Sequence, residues 1–289
     1  MLLVLALACG GVLVAQERAT AVRLSEAVRA DWAGDEWDDG KAEVAEYEGV
    51  RVIDGTARAH LLYLVTSAED FNRETNARAD WPFGQKPIVA VLQQVQSLTL
   101  SDPAPPRHLM SSTVVERTDP VKVLKLVTSS QDWRGITSKD FDFSGRMPRR
   151  TWSSYRDAEG SGSEDLRSWP SEAVFDEQLP LLVRLLELRE GLETGMALVE
   201  SQATSGANKP EIVAARLRVE SAKGAVKVPA GTWAAEDVWR VVLEGADGRG
   251  MEYFVEKAAP QTLLAWNGND GQTYGLRSVK REAVWQLRE

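Results

Sequence analysis

The sequence predicts a mainly β protein of the α+β class: a large curved antiparallel sheet, or incomplete barrel, packed on one long helix. Three observations carry this. Between Val226 and Trp285, apolar and polar residues alternate, with Trp233, Ala235, Trp239, Val241 and Leu243 on odd positions and Thr232, Glu236, Arg240 and Glu244 between them. A period of two places the two sets on opposite faces of a pleated strand. Gly245, Asp247, Gly248 and Gly250 interrupt this run, and Asn267-Gly-Asn-Asp-Gly271 interrupts the next. Residues that accept positive φ at such breaks are hairpin chemistry. Finally, residues Ser171–Arg189 carry Val174, Phe175, Leu179, Leu182, Leu185, Leu186 and Leu188 at helical spacing behind Ser171 as a cap, with Pro180 predicting a kink or a break into two helices.

Taken in order, the chain opens on an apolar run, Leu2–Ala15, followed abruptly by Glu17 and Arg18. Such a run is too short for a membrane span of about 20 residues and predicts an export signal over residues 1–16. Cleavage after Ala15 gives a soluble protein, the preferred route. Ala6-Leu7-Ala8-Cys9 read as a lipoprotein box gives instead a lipidated Cys9 and the only contact with a membrane. Residues 22–289 then form one β-rich domain, with a division into halves near 190–210 as the alternative.

Val22, Leu24, Ala27, Val28 and Trp32 fit a short amphipathic helix over Ala21–Ala33, and the acidic stretch to Gly40 lacks the ligand spacing of a calcium loop. Lys41–Val52 and Thr56–Thr66 predict a hairpin at Asp54-Gly55, whose second strand is apolar on both faces and therefore central. Further strands are expected at Ile88–Leu100, His108–Glu116, Val121–Thr128, Gly195–Ser205 and Glu211–Ser221, and Arg150–Arg156 is expected to pair with Glu164–Trp169. Phe71–Trp81 reads as irregular.

The chain has 289 residues, 43% of them hydrophobic and 27% charged, the composition of an ordinary folded protein. A net charge of −9 disfavours nucleic acid and anionic membrane surfaces as partners. One cysteine and two histidines, His60 and His108, exclude an internal disulfide and a thiolate metal cluster, and leave little material for a zinc hydrolase or a histidine-based triad. His60 reads as a hydrogen-bonded structural histidine. No nucleophile elbow, P-loop, dinucleotide fingerprint or His-Glu-x-x-His occurs, and neither a metal nor a cofactor is expected. With 43 Asp and Glu residues, no catalytic pair can be chosen from sequence.

Ten tryptophans are the unusual count. Trp152, Trp233, Trp239 and Trp266 stand on expected strands and are the candidate lining of a ligand groove. The bland alternative is a set of core residues in a large sheet.

The stretches Trp37-Asp-Asp-Gly-Lys-Ala-Glu43 with Tyr47, Leu64–Phe71, Val121–Leu126, Ser130–Trp133, Ser154–Gly160 and Leu263–Trp285 resemble an uncharacterised family of exported bacterial proteins. The C-terminal half, with Pro229-Ala-Gly-Thr-Trp233 opening a strand, is similar to a broader domain of unknown function, which implies a curved sheet or incomplete barrel. Some family members carry the label of a Maf-type septum-formation inhibitor. That enzyme's Ser-Pro-Arg-Arg loop is N-terminal in an α/β fold, whereas only Met147-Pro-Arg-Arg150 stands here, in mid-chain. The functional expectation is a non-catalytic envelope or periplasmic protein that binds a lipid, another amphipathic ligand or an envelope protein in a concave sheet face. The alternatives are a carboxylate-based glycan hydrolase and a purely structural envelope component.

Overall fold

The period-two runs assemble into one wide sheet whose inner face is closed off by the chain's own interior segment. The computed structural model describes residues 22–29, 37–53, 55–100 and 105–286; the expected export signal and Cys9 lie outside these residues. In chain order the strands are β1 (Val22–Arg23), β2 (Ala42–Ile53), β3 (Thr56–Asn72), β4 (Ala77–Arg78), β5 (Ile88–Leu100), β6 (Arg107–Glu116), β7 (Asp119–Asp132), β8 (Gly135–Asp142), β9 (Arg149–Ser153) and β10 (Ser161–Asp165). Next come β11 (Ala173–Phe175), the helix α1 (Leu179–Leu185), β12 (Glu193–Val199), β13 (Ile212–Ser221), β14 (Val226–Val228), β15 (Gly231–Trp233), β16 (Val238–Gly245), β17 (Gly250–Glu256), β18 (Leu263–Gly268) and β19 (Thr273–Glu282).

Strand registers give the lateral order β11, β12, β13, β16, β17, β18, β19, β2, β3, β5, β6, β7, β8, β9, β10. The β19–β2 ladder joins the two halves of the chain, and β3 is central as its two apolar faces require. Neighbours are antiparallel except β1 and β11, which run parallel to β12 along its outer edge. Leu166 and β11 pack with Phe141 of β8, so the two ends of the sheet approach each other across residues 166–172. The sheet is thus curved and open, an incomplete barrel. β14 and β15 form a separate ribbon, with Val228 and Pro229 set against Gly275.

The expected long helix over Ser171–Arg189 is not formed. Ala173–Phe175 is instead a strand, Asp176–Gln178 a 3-10 turn, and only Leu179–Leu185 is α-helical, with Pro180 in its first turn where a missing N–H costs nothing. The segment had to satisfy a surface on every side, not a single apolar stripe: Leu179–Leu185 is buried throughout. The chain rises along β11 to one end of the barrel, reverses at Asp176–Gln178 and descends through the interior as α1. Helix geometry ends at Leu186, which bridges to Val28. The N-terminal helix expected from Ala21 is also absent over the described residues, where Val22–Arg23 pairs with β12 and Ser25–Ala27 is one 3-10 turn. Residues 200–205, expected to continue a strand, lie in the connection between β12 and β13. The β9–β10 hairpin is shifted, pairing Ser153 with Ser161, and β3 runs on to Asn72, where β4 joins it.

The inner face has two chemical halves. Leu198, Leu217, Leu243, Tyr253, Trp266 and Leu276 make β12–β19 apolar, while Gln94, Ser111, Thr113, Thr128, Lys139 and Arg150 make β5–β9 polar, all of them buried. The connection between β12 and β13 covers the polar half. Its carbonyls accept hydrogen bonds from Thr128 (to Gln202, 3.0 Å), Thr137 (to Ser205, 2.9 Å), Lys139 Nζ (to Gly206, 2.7 Å) and Arg150 (to Ala207). Buried donors must find such partners or lose their hydration without return.

At the lower end α1 is fixed by a buried ion pair. Arg184 Nη1 and Nη2 donate to both oxygens of Glu43 at 2.5 and 3.0 Å, and its Nε donates to the Gln261 carbonyl at 3.0 Å. Burial by itself raises the Glu43 carboxyl, but the Arg184 charge and hydrogen bonds outweigh it and hold the group below its ordinary value. A carboxyl with a depressed folded-state pKa contributes stability above its unfolded value that is lost as pH falls through the folded one. Glu43→Ala is therefore expected to cost about 3–5 kcal/mol in urea unfolding at pH 7, because it takes the paired carboxylate away from a buried guanidinium. The deficit should shrink below about pH 4. A loss under 1 kcal/mol at pH 7 would show that Arg184 does not depend on Glu43.

Candidate functional site

The C-terminal ends of β2, β5, β7, β16 and β18 fall at the same end of the barrel as the Asp176–Gln178 reversal, and together they form its mouth. Here the interior is not filled. A cavity of about 60 Å³, room for a few waters, is lined by Arg51, Gln96, Ser111, Asp176, Glu177, Ser201, Tyr253, Trp266 and Tyr274, with Leu98, Leu109, Met110 and Met251 as its apolar contributors.

One wall is a row of cross-strand neighbours. Tyr253 of β17 stands opposite Trp266 of β18, Trp266 opposite Tyr274 of β19, Tyr274 opposite Gly49 of β2, and Gly49 opposite His60 of β3. Trp266 and Tyr274 stack with centroids 4.4 Å apart, and Tyr47 and His60 meet the pair edge-on at 4.9 and 5.4 Å. Gly49 is required by this arrangement, since a Cβ there would lie 2.6 Å from the Tyr274 ring. Tyr47 donates to the Leu263 carbonyl at 2.9 Å. The rings brace one another through stacked and edge-on contacts. His60 Nδ1 lies 3.2 Å from the Arg58 carbonyl, as a structural histidine should, and burial lowers its pKa.

The opposite wall carries charge. Glu177 Oε1 accepts from Ser201 Oγ at 2.8 Å and from the backbone N–H groups of Gln202 and Ala203 at 2.6 and 2.9 Å, whereas its Oε2 is buried without a partner. The Asp176 side chain forms no hydrogen bond or ion pair among the described residues. Burial, and then the adjacent Glu177, push its pKa up to about 7 against a partial pull from Arg51 and Arg249. Burial raises Tyr253 and Tyr274 as well, with Asp176 contributing. Arg51 likewise has no partner among the described residues.

Of the four tryptophans chosen from sequence, only Trp266 lines this cavity. Trp152 lies on β9 beneath the Arg150 guanidinium, 4.7 Å from its ring centre. Trp233 sits in the β14–β15 ribbon with Nε1 donating to Glu256 at 3.2 Å, and Trp239 carries Lys257 Nζ over its ring at 4.1 Å. The structure does not bring these three to the mouth. Asp176, Glu177 and Arg51 were not singled out by sequence. The available signal was Asp176-Glu177-Gln178 standing inside the apolar run Ala173–Leu188. Among the described residues no cluster of three His, Cys, Asp or Glu groups is arranged to hold a metal ion.

No family model matches the chain, and no curated protein matches it. Solved structures similar to it include two domains of unknown function. One is a β-barrel-like protein of the domain of unknown function DUF1849 from Brucella abortus, 10% identical with a TM-score of 0.43 over 83% of this chain and 98% of that one. The other is a DUF1089 family protein from Pseudomonas aeruginosa, 12% identical with a TM-score of 0.37 over 60% of this chain and 82% of that one.

An acid whose folded pKa is raised makes stability fall as pH climbs from its unfolded value, about 4, to its folded one, about 7. Asp176→Asn removes that loss. It is expected to unfold at higher urea than the parent at pH 8, by on the order of 1–3 kcal/mol after allowance for water in the cavity. The difference should narrow towards pH 4. A variant less stable than the parent at pH 8 would show that the carboxylate has a partner in the protein.

Proposed function

We propose that this chain is a non-catalytic binding protein of the cell envelope whose mouth cavity takes the polar head of an amphipathic ligand. The observation that carries this reading is the unpartnered Asp176 carboxylate in a cavity with a stacked aromatic wall and an apolar rim. Keeping a half-buried carboxylate without a protein partner costs stability, and such a cost is characteristic of binding sites. The rim suits an amphipath: Met110 is 46% exposed, and Leu98, Leu109 and Met251 stand beside it. The apolar N-terminal run supports export, with release after Ala15 preferred and lipidation at Cys9 the alternative.

A glycan hydrolase would draw on the same raised acid, but it needs a second carboxylate across a cleft at about 5–5.5 or 6.5–9.5 Å. Asp176 and Glu177 are chain neighbours, one oxygen of Glu177 is held by three donors, and a cavity of about 60 Å³ admits a few waters and not a sugar ring. Binding is the better-supported reading.

Native mass spectrometry of the protein purified from its own host's envelope is expected to retain a ligand of small-molecule or lipid size, and Trp266→Ala should lose it. Bare protein from the envelope, together with no thermal shift for either protein in an envelope lipid extract, would refute the binding reading.

A further inference from the structure

The mouth cavity holds two opposite charges that have not found each other. Asp176, on the interior segment, and Arg51, near the turn end of β2, line the same cavity yet form no ion pair, and neither has another partner among the described residues. A half-buried carboxylate and a half-buried guanidinium that share one small cavity without pairing leave two opposite charges available to a ligand. A single molecule carrying both complementary charges would satisfy both at once.

A second, independent observation points the same way. Glu177 is 3% exposed and lines this cavity, and its Oε2 is buried with no partner while Oε1 is fully engaged. It offers an additional acceptor beside Asp176 on the inner side. The remaining charged and titratable groups acting on Asp176 are Arg249 and Asp270 in the flanking turns, with Tyr253 and Tyr274 on the aromatic wall. Aromatic faces near carboxylates favour a cation over an anion. Chain position also assigns the two ends: the acids begin the interior segment, with Glu177 buried, and Arg51 stands near the end of β2.

The geometry points to recognition of a compact zwitterion, with a primary ammonium entering to Asp176 and Glu177 and an anionic group held outside on Arg51. This inference rests on the binding reading above and names its ligand class: an aminoalkyl phosphate, either free or as the head group of a lipid. A cavity of about 60 Å³ suits an ammonium with its short stem. A trimethylammonium group is larger and has no N–H to donate to carboxylates, and a glycerol group has no charge to offer them.

Calorimetric titration of the full chain at pH 8 tests this. The probes are O-phosphoethanolamine and three short-chain lipids used as monomers, bearing phosphoethanolamine, phosphocholine and phosphoglycerol heads on identical tails. The ethanolamine lipid is expected to bind at least tenfold more tightly than the other two. D176N should abolish that preference, and R51Q should weaken every phosphate probe while leaving the order intact. D176N removes no contact within the protein, so it folds, and near-UV circular dichroism verifies this. Free O-phosphoethanolamine binding as tightly as its lipid would identify a soluble zwitterion as the ligand, and a much tighter lipid would identify a head group; both support the inference. Equal affinity for all three lipids would overturn the zwitterion and leave the amphipath site standing. Binding of none of the probes would overturn the zwitterion, and the envelope-extract measurement would then decide the broader reading separately.

Discussion

A sheet this wide must hide one face from water, and the way it does so decides everything else in the molecule. Ala173–Leu186 crosses the interior and covers apolar surface on both halves of that face with side chains that are almost all buried. Each large apolar side chain removed from water contributes roughly 1.5–3 kcal/mol, so this short segment is a major source of cohesion despite containing only one brief helix. It is tied at both ends by charge. Arg184 meets Glu43 at the bottom, and Glu177 gathers the Ser201 hydroxyl and two backbone N–H groups at the top. The same tie at the top leaves the adjacent Asp176 facing the mouth without a partner.

The polar half of the inner face follows a different rule. Hydrophobic contact closes part of it, where Leu92, Val115, Leu126 and Phe141 meet Phe175, Leu181 and Leu185, and over its polar side chains the connection between β12 and β13 is laid as a strip of carbonyls, each matched to a hydroxyl or cationic donor. Burial lowers the pKa of Lys139, one of these donors, to about 8, the consequence of keeping an ammonium inside. Between the two coverings lies the mouth cavity, bounded by apolar packing on one side and backbone hydrogen bonds on the other. Its small size is set by how completely the chain fills its own barrel.

Much of the sheet could be read from the sequence because period-two alternation survives wherever one face is buried. The β16–β17 and β18–β19 hairpins, the β2–β3 hairpin and the central position of β3 all follow from it. The interior segment could not be read in this way. Leu179, Leu182, Val183 and Leu186 share one helical face and pack in one cluster, but Leu181 and Leu185 point the opposite way into a second cluster and are equally buried. A segment surrounded by protein has no outward face, and its sequence carries no helical period to find. The candidate site was hidden for a related reason. Tryptophan draws attention, yet Trp152, Trp233 and Trp239 are occupied by Arg150, Glu256 and Lys257, whereas the informative residue, Asp176, differs from the rest of the 43 acids only in what surrounds it. Cross-strand register, which composition does not encode, is what places Trp266 beside Tyr274 and across from it.

That the Ala173–Leu186 segment fills the barrel permanently, leaving a small cavity at its mouth, is most directly tested by native-state hydrogen exchange. The amides of Leu181–Leu185 should exchange only with global unfolding, as slowly as those at the centres of β2 and β17. Exchange of the helix through a lower-energy opening, with the strands still protected, would contradict the account, because the segment would then lift away and expose a long apolar groove.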